Sequence, residues 1–296
     1  SWRKNQAGKF FGWARTIEGR LLKQLRNQMA GFSMKLGIND WWPWYQRIIE
    51  TFGYDQAKDQ EAADLLSKLL AMKAIDLSEI RKRMTNQHVL VFGAGPSLEE
   101  NLKQVKGEGV LQKFVTVVAD GATTALLHVA EAVPDVIVTD LDGVVSDIVS
   151  AQKKGSMIII HAHGDNMEQL KQFVPEFSRA IGSTQVEPRP NVYNFLGFTD
   201  GDRAVFLAAA MGAKVIVLAG MDFGSTVGKY SKKQVKSLNV KREKLKISRE
   251  LLKWLAQQTD GETKFYNMTG SGEKVEGFKE IKPQDLKKLV NLEKAF

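Results

Sequence analysis

From Asp40 to Met84 the apolar residues of the chain fall at helical spacing. Asp40 can cap a first helix, with Pro43 tolerated in its opening turn and Ile48, Ile49 and Phe52 facing inward. A second helix is predicted over 55–72 and a short third one over 78–84. The tryptophans at 41, 42 and 44 read as packing, or as a stacking surface for a flat ligand. After Thr85 the pattern changes to short, continuous, β-branched runs: "HVLVFGAG", "FVTVVADGA", "DVIVTDLDG", "SMIIIHAHGDN" and "KVIVLAGMDFG". Each precedes a helix-like segment, over 97–105, 122–133, 146–153, 167–173 and 202–211 respectively, save that the last segment lies before its neighbouring run. Lys229 to Gln258 reads as one long lysine-rich helix with a solvated face. The tail reads as two short strands about "GSGE" and a last helix from Pro283.

Continuous apolar strands alternating with helices predict an α/β fold, a Rossmann-like, mostly parallel sheet with helices on both faces, preceded by an N-terminal helical region. The expected divisions are a basic leader over 1–36, the helical region over 37–84, a Rossmann-like catalytic domain over 85–270 and a C-terminal strand and helix over 271–296.

Charge sharpens the division between leader and remainder. The net charge is +8, yet the first 36 residues carry eight Lys/Arg against the single acid Glu18, which leaves 34 basic and 33 acidic residues elsewhere. The folded part is therefore near neutral, and no nucleic-acid partner is expected. The leader suits a native helix, a membrane-surface segment, a presequence or appended sequence. No apolar stretch approaches the roughly 18–20 residues of a membrane span, and a cytoplasmic location is expected. The absence of cysteine removes disulfides, thiolate zinc sites and cysteine nucleophiles. A homo-oligomer is compatible with this organisation, although no pattern in the chain requires one.

In an open α/β sheet, ligands bind outside the carboxyl ends of the strands. Here those ends read GAGPS, ADGA, TDLDG, HAHGDN and GMDFG, and four of the five carry a carboxylate. Carboxylates converging on one rim repel, and a cation resolves the conflict. Gly93, Gly95, Pro96 and Ser97 open a helix directly after a strand, as a phosphate contact or a plain tight turn. Asp140 and Asp142, two apart after Thr139, would point the same way on an extended strand end and suit a hard cation. Asp120 and Gly121 form either a ligand-facing strand end or a helix cap. His161, His163 and Asp165 share one parity. That string resembles the HxHxDH run of metallo-β-lactamase-like zinc hydrolases, but its last position is Asn166, and only His88 and His128 remain as further histidines. Of Thr199, Asp200 and Asp202, one is expected to cap the following helix. Arg203, in the first turn, opposes the helix dipole and so calls for an anionic partner, an aspartate or a phosphate. Asp222 ends its strand as a plausible ligand orienter.

Taken in order, GAGPSL, ADGA, PDVIVTDLDG, HAHGDN, GFTDGDRA and GMDFG resemble the archaeal 6-hydroxymethyl-7,8-dihydropterin pyrophosphokinase family, over roughly Trp41 to Tyr266. That family belongs to a wider Rossmann-like group with the flagellin-associated motility accessory factors. The arrangement is also similar to thiamine pyrophosphokinase, although Thr139 and Gly143 replace the Gly and Ser of its second acidic motif. The resemblance implies magnesium-dependent transfer of diphosphate from ATP to a pterin alcohol, giving AMP and the pterin diphosphate, in pterin or folate-type cofactor biosynthesis. It implies Mg2+ held by Asp140, Asp142 and Asp165, with Asp120 fixing the nucleotide or a metal-bound water. Nucleotide contacts would extend to Gly93, Gly95, Pro96, Ser97, Gly121, Thr139, Asp202, Arg203 and Asp222. Arg203 and Lys229 would offset phosphate charge, and His161 or His163 would deprotonate the hydroxymethyl group. Phe198, Phe223 or the tryptophan cluster would hold the flat ring. The alternatives are a thiamine diphosphokinase, glycosyl transfer from a nucleotide sugar, a zinc hydrolase and a non-catalytic nucleotide-binding module.

Overall fold

The structure, a computed structural model, describes residues 36–224, 228–230, 237–259 and 261–291. The expected basic leader lies outside them, save for Leu36. Three helices come first, α1 (Ile38–Phe52), α2 (Gln56–Leu70) and α3 (Leu77–Met84). Asp55 caps α2, its side chain accepting from the amides of Ala57 and Lys58. Asp40 is not the cap of α1. It sits one turn in, and its carboxylate reaches back to the amide of Gly37, the residue at the cap position.

The alternating part follows as β1 (His88–Phe92), α4 (Leu98–Glu108), β2 (Val115–Ala119), α5 (Ala122–Ala125), β3 (Val136–Thr139), α6 (Val145–Lys153), β4 (Met157–Ala162), α7 (Met167–Phe173), β5 (Ile181–Thr184), β6 (Val192–Tyr193), α8 (Asp200–Ala210) and β7 (Val215–Ala219). The chain closes with α9 (Leu238–Gln258), β8 (Lys264–Asn267), β9 (Lys279–Glu280) and α10 (Asp285–Asn291). All nine strands form one sheet in the order β6-β5-β4-β3-β2-β1-β7-β8-β9, and each neighbouring pair runs parallel. The apolar runs are buried from end to end in β1, β2, β3 and β7, as a sheet covered on both faces requires.

Three expectations change. The α5 segment passes after one turn into a π-helical turn, Leu126–Ala130, closed by Glu131 in the left-handed region at φ 54°. Strands β5 and β6 carry no long apolar run and are not among the predicted strands; they are short extensions of the β4 edge. The long helix starts at Leu238 rather than Lys229. The helical region is also continuous with the sheet. Helix α2 packs on β4, β5 and β6, and Trp41 is fully buried with its indole N–H donating to the Gln185 carbonyl at 2.8 Å. The tryptophan cluster therefore packs: Trp44 lies against Trp254, and Trp42 meets Tyr45 edge-on. Among the described residues no helix is long and apolar enough to cross a membrane.

The chain enters the sheet at its middle, steps outward from β1 to β6, then returns through α8 to the other side of β1 as β7. The connections from β1 and from the β7 side thus leave in opposite directions, the geometry that opens a ligand crevice at strand carboxyl ends. Helix α8 is buried from Asp202 to Ala210 and lies across β1, β2, β3 and β7. Its run of small residues permits that close approach, and its amino end arrives at the rim where β2 and β3 finish.

Candidate active site

Asp120 follows β2, and Asp140 and Asp142 follow β3. One carboxylate oxygen from each lies within 4.8 Å of the others. Asp120 is oriented by two donors: the Thr139 hydroxyl at 2.9 Å and the Gly143 amide at 3.1 Å, both to Oδ2. It is therefore not the helix cap that its position also permitted. The Thr139 hydroxyl in turn accepts from the Leu141 amide at 2.8 Å. The two β3 aspartates do not converge by strand alternation, because β3 ends at Thr139 and Leu141 is in the left-handed region, φ 66°, with its side chain buried. A turn, held at a conformation that costs a branched residue roughly 1–2 kcal/mol, folds Asp142 back toward Asp140. Gly143 completes the enclosure, since a Cβ there would lie 2.1 Å from Asp120 Oδ1. Three carboxylates, two of them buried, make an all-oxygen donor set that fits a hard divalent cation such as Mg2+ better than zinc.

Asp165 does not join this group. Beta-4 ends at Ala162, and the Asn166 amide bonds to the His163 carbonyl in a tight turn, so strand parity is lost and Asp165 is exposed. Its neighbour Asn166 is the structural residue of the motif. Its amide nitrogen donates to the carbonyls of Asp140 (2.9 Å) and His161 (2.8 Å), and its oxygen accepts from the His163 amide, which ties the end of β4 to the end of β3. His161 is buried, its Nδ1 3.0 Å from Ser183 Oγ. Burial, aided by Arg203 and His163, holds its pKa well below the ordinary histidine value despite Asp140. It is thus a neutral imidazole. His163 stacks on it and sets Nε2 3.7 Å from Asp140 Oδ2, with about a quarter of its side chain exposed, 26%. Of the two histidines, His163 is the one on the rim.

Arg203 is fully buried, its guanidinium donating to the Phe198 carbonyl at 2.9 Å. Burial lowers its pKa while Asp200, Asp202, Asp140 and Asp59 oppose that shift, which makes it the internal counter-charge of the rim. Its hydrogen-bond partners are the carbonyls of Leu196 and Phe198. Asp202 serves structure: its carboxylate accepts from the amides of Phe198 (2.7 Å) and Thr199 (2.8 Å) and from Ser248 Oγ (2.8 Å), reaching back from the first turn of α8 to Thr199, the residue at the cap position. Asp200 stands at the first position of α8. Burial first, then Asp140 and Asp120, push its carboxyl well above the usual range.

At the switch point the loop after β1 is folded onto its own chain. Gly93 and Gly95 donate to the carbonyls of Ala219 and Gly220, and the Ser97 amide and hydroxyl both donate to Asp222. Asp222 also bonds Ser271. A Cβ on Gly95 would lie 2.1 Å from Asp222, so the glycine serves this close approach. Pro96 lies in the same turn. The carbonyl of Tyr230 sits over Gly121, where a Cβ would meet it at 1.9 Å. Lys229 points outward to Glu99 at 3.4 Å. Phe223 forms one wall of a cavity of about 570 Å³ against α9.

Sequence reasoning missed Asp59. It is a buried carboxylate of α2 that accepts from Tyr45 Oη, Gln185 Nε2 and the Gly164 amide, each at 2.7 Å. These bonds fix the turn after β4 against the helical region. Nothing local marks Asp59, because its partners lie 14 to 126 residues away.

A family profile described as 6-hydroxymethylpterin diphosphokinase MptE-like matches residues 63–228. Three proteins named 6-hydroxymethyl-7,8-dihydropterin pyrophosphokinase are similar over most of their length. That from Methanothermobacter thermautotrophicus is 44% identical over 75% of this chain and 97% of its own. The Pyrococcus furiosus protein is 47% identical over 73% and 93%, and the Methanocaldococcus jannaschii protein 36% identical over 76% and 98%. Among solved structures, the MAf glycosyltransferase from Magnetospirillum magneticum AMB-1 superposes with a TM-score of 0.48 at 13% identity, over 78% of this chain and 41% of that one. By the profile and the three relatives, the chain belongs to the 6-hydroxymethylpterin diphosphokinase MptE-like family and is an enzyme of the diphosphokinase class.

Proposed function

We propose that this enzyme transfers diphosphate from ATP to 6-hydroxymethyl-7,8-dihydropterin, in a Mg2+-dependent reaction of pterin cofactor biosynthesis. The observation that carries the reading is the convergence of Asp120, Asp140 and Asp142 within 4.8 Å at the ends of adjacent strands. It is supported by the names of the three relatives. ATP and a soluble alcohol suit a cytoplasmic enzyme.

The acceptor hydroxyl oxygen attacks the β-phosphorus of ATP, the bond from that phosphorus to the α–β bridging oxygen breaks, and AMP leaves. Such a transfer asks the protein for position and charge rather than covalent chemistry. Bound at the three carboxylates, Mg2+ supplies neutralisation of the polyphosphate. Thr139 and Gly143 hold Asp120 in orientation, and Asn166 holds the β3 and β4 ends in register. His163 Nε2 takes the hydroxymethyl proton. Arg203 steadies the acidic rim from beneath and makes no phosphate contact. We assign the cation to Asp120, Asp140 and Asp142, with Asp165 outside the first ligand set.

Product analysis tests this directly. Incubation with ATP, Mg2+ and the pterin alcohol is expected to release AMP and pterin diphosphate in equal amounts, and EDTA to stop both. Asp142→Asn is expected to lower turnover by about 10²-fold or more with the fold retained by circular dichroism. Wild-type protein that binds ATP and releases no pterin-dependent AMP would refute the assignment.

A further inference from the structure

Three aromatic rings from separate parts of the chain meet beside the rim. Phe52, at the end of α1, stacks on Tyr54 (centroids 5.5 Å apart, planes 25°) and on Phe198 (5.4 Å, 29°). Phe198 belongs to the loop entering α8. Its carbonyl holds Arg203, and Gly201, three residues on, lies against Met221 at the carboxyl end of β7, where a Cβ would come within 2.9 Å of the Met221 sulfur. Over this cluster lies the ammonium of Lys244 from α9, 5.8 Å from the Phe52 ring centre and 5.5 Å from those of Tyr54 and Phe198.

A cluster built only for packing would bury its rings and leave the lysine to water. Here Phe198 is buried while Phe52 and Tyr54 stay partly exposed, and among the described residues no carboxylate pairs with Lys244. The ring faces hold this part-buried ammonium by a cation–π contact alone, and a flat group that covers more of the rings can take its place. Stacking of a heterocyclic base on an aromatic side chain is such a contact. A neutral heterocycle suits this place better than a thiazolium, which would meet Lys244 as a like charge.

We propose that Phe52, Tyr54 and Phe198 form the slot for the flat ring of the acceptor alcohol, and that Lys244 is the cation the acceptor displaces from it. The assignment rests on the pterin diphosphokinase reading above. The slot places a ring-bearing alcohol beside the aspartate rim, and the displaced ammonium moves off the ring faces.

Calorimetric titration of full-length protein with 6-hydroxymethyl-7,8-dihydropterin, and separately with Mg-ATP, tests it. Tyr54→Leu is expected to weaken the pterin about tenfold and leave Mg-ATP affinity and melting temperature close to wild type. Lys244→Met, which removes the competing charge but keeps a stem, is expected to tighten the pterin about threefold. Unchanged pterin affinity in Tyr54→Leu, with wild-type turnover intact, overturns the slot while the diphosphokinase reading stands. Weaker pterin binding in Lys244→Met overturns displacement, since Lys244 would then be a lasting contact. Wild-type protein that neither binds nor turns over the pterin removes both readings together.

Discussion

A methyl group on Gly143 would stand 2.1 Å from Asp120 Oδ1, and a backbone amide and a hydroxyl hold that carboxylate in place. Something must give, and the exposed turn moves more easily than the buried strand end. Gly143→Ala is therefore expected to lower the rate of AMP release about 10²-fold, the usual cost of a misplacement near 1 Å, with little change in melting temperature. Wild-type rates in that variant would mean the turn does not shape the site. His161 makes a different prediction. Its folded pKa lies well below the ordinary value, chiefly through burial, so the unfolded chain binds a proton that the folded one refuses. The stability it contributes is complete above about pH 6.5 and falls as the medium is acidified, by up to about 1.4 kcal/mol per pH unit. Asp200, with its raised pKa, works in the opposite sense. The comparison of wild type with His161→Asn isolates the histidine: denaturant unfolding from pH 7.5 to 5.5 should show a shallower loss in the variant. Parallel losses would rule the histidine out as a source of acid sensitivity.

At the scale of elements, the contact of α2 with the turn after β4 decides how the helical region joins the sheet. Gly164 lies under α2, where a Cβ would come within 2.7 Å of Lys58 Cβ, and its amide bonds to Asp59. Gly164→Ala is expected to cost about 1–3 kcal/mol of stability, as overpacking does, and to shift the turn that carries His163. A thermal melt unchanged from wild type would contradict that contact. The alternation of strand and helix was legible because a covered parallel strand leaves an unbroken apolar run, and because glycine and aspartate mark where each run ends. The same marks located Asp120, Asp140 and Asp142. Strands β5 and β6 were illegible because "IGST" and "VY" are too short and too polar to stand out. Asp59 was hidden by its remote partners. The convergence of Asp140 and Asp142 was expected for a reason that Leu141 replaces, since a left-handed leucine has no signature in a single sequence. Asp165 shares a strand parity with His163 on paper only, because the strand stops three residues earlier.

At the scale of the whole molecule, the rim is a set of carboxylates carried by β2, β3 and α8 and answered from below by one buried arginine. Near-neutral charge over the remainder of the chain fits small anionic substrates drawn to a local cation, without a broad basic face. The sheet order has a further consequence during synthesis. Strand β1, made early, pairs on one side with β2, and its other edge is satisfied only by β7, residues 215–219. While the intervening residues are still emerging from the ribosome, a central strand destined for full burial presents an open row of amides and carbonyls to solvent. The strand beside the ligand crevice is thus the last of the central ones to be sealed, and until β7 arrives the future core of the enzyme is an edge.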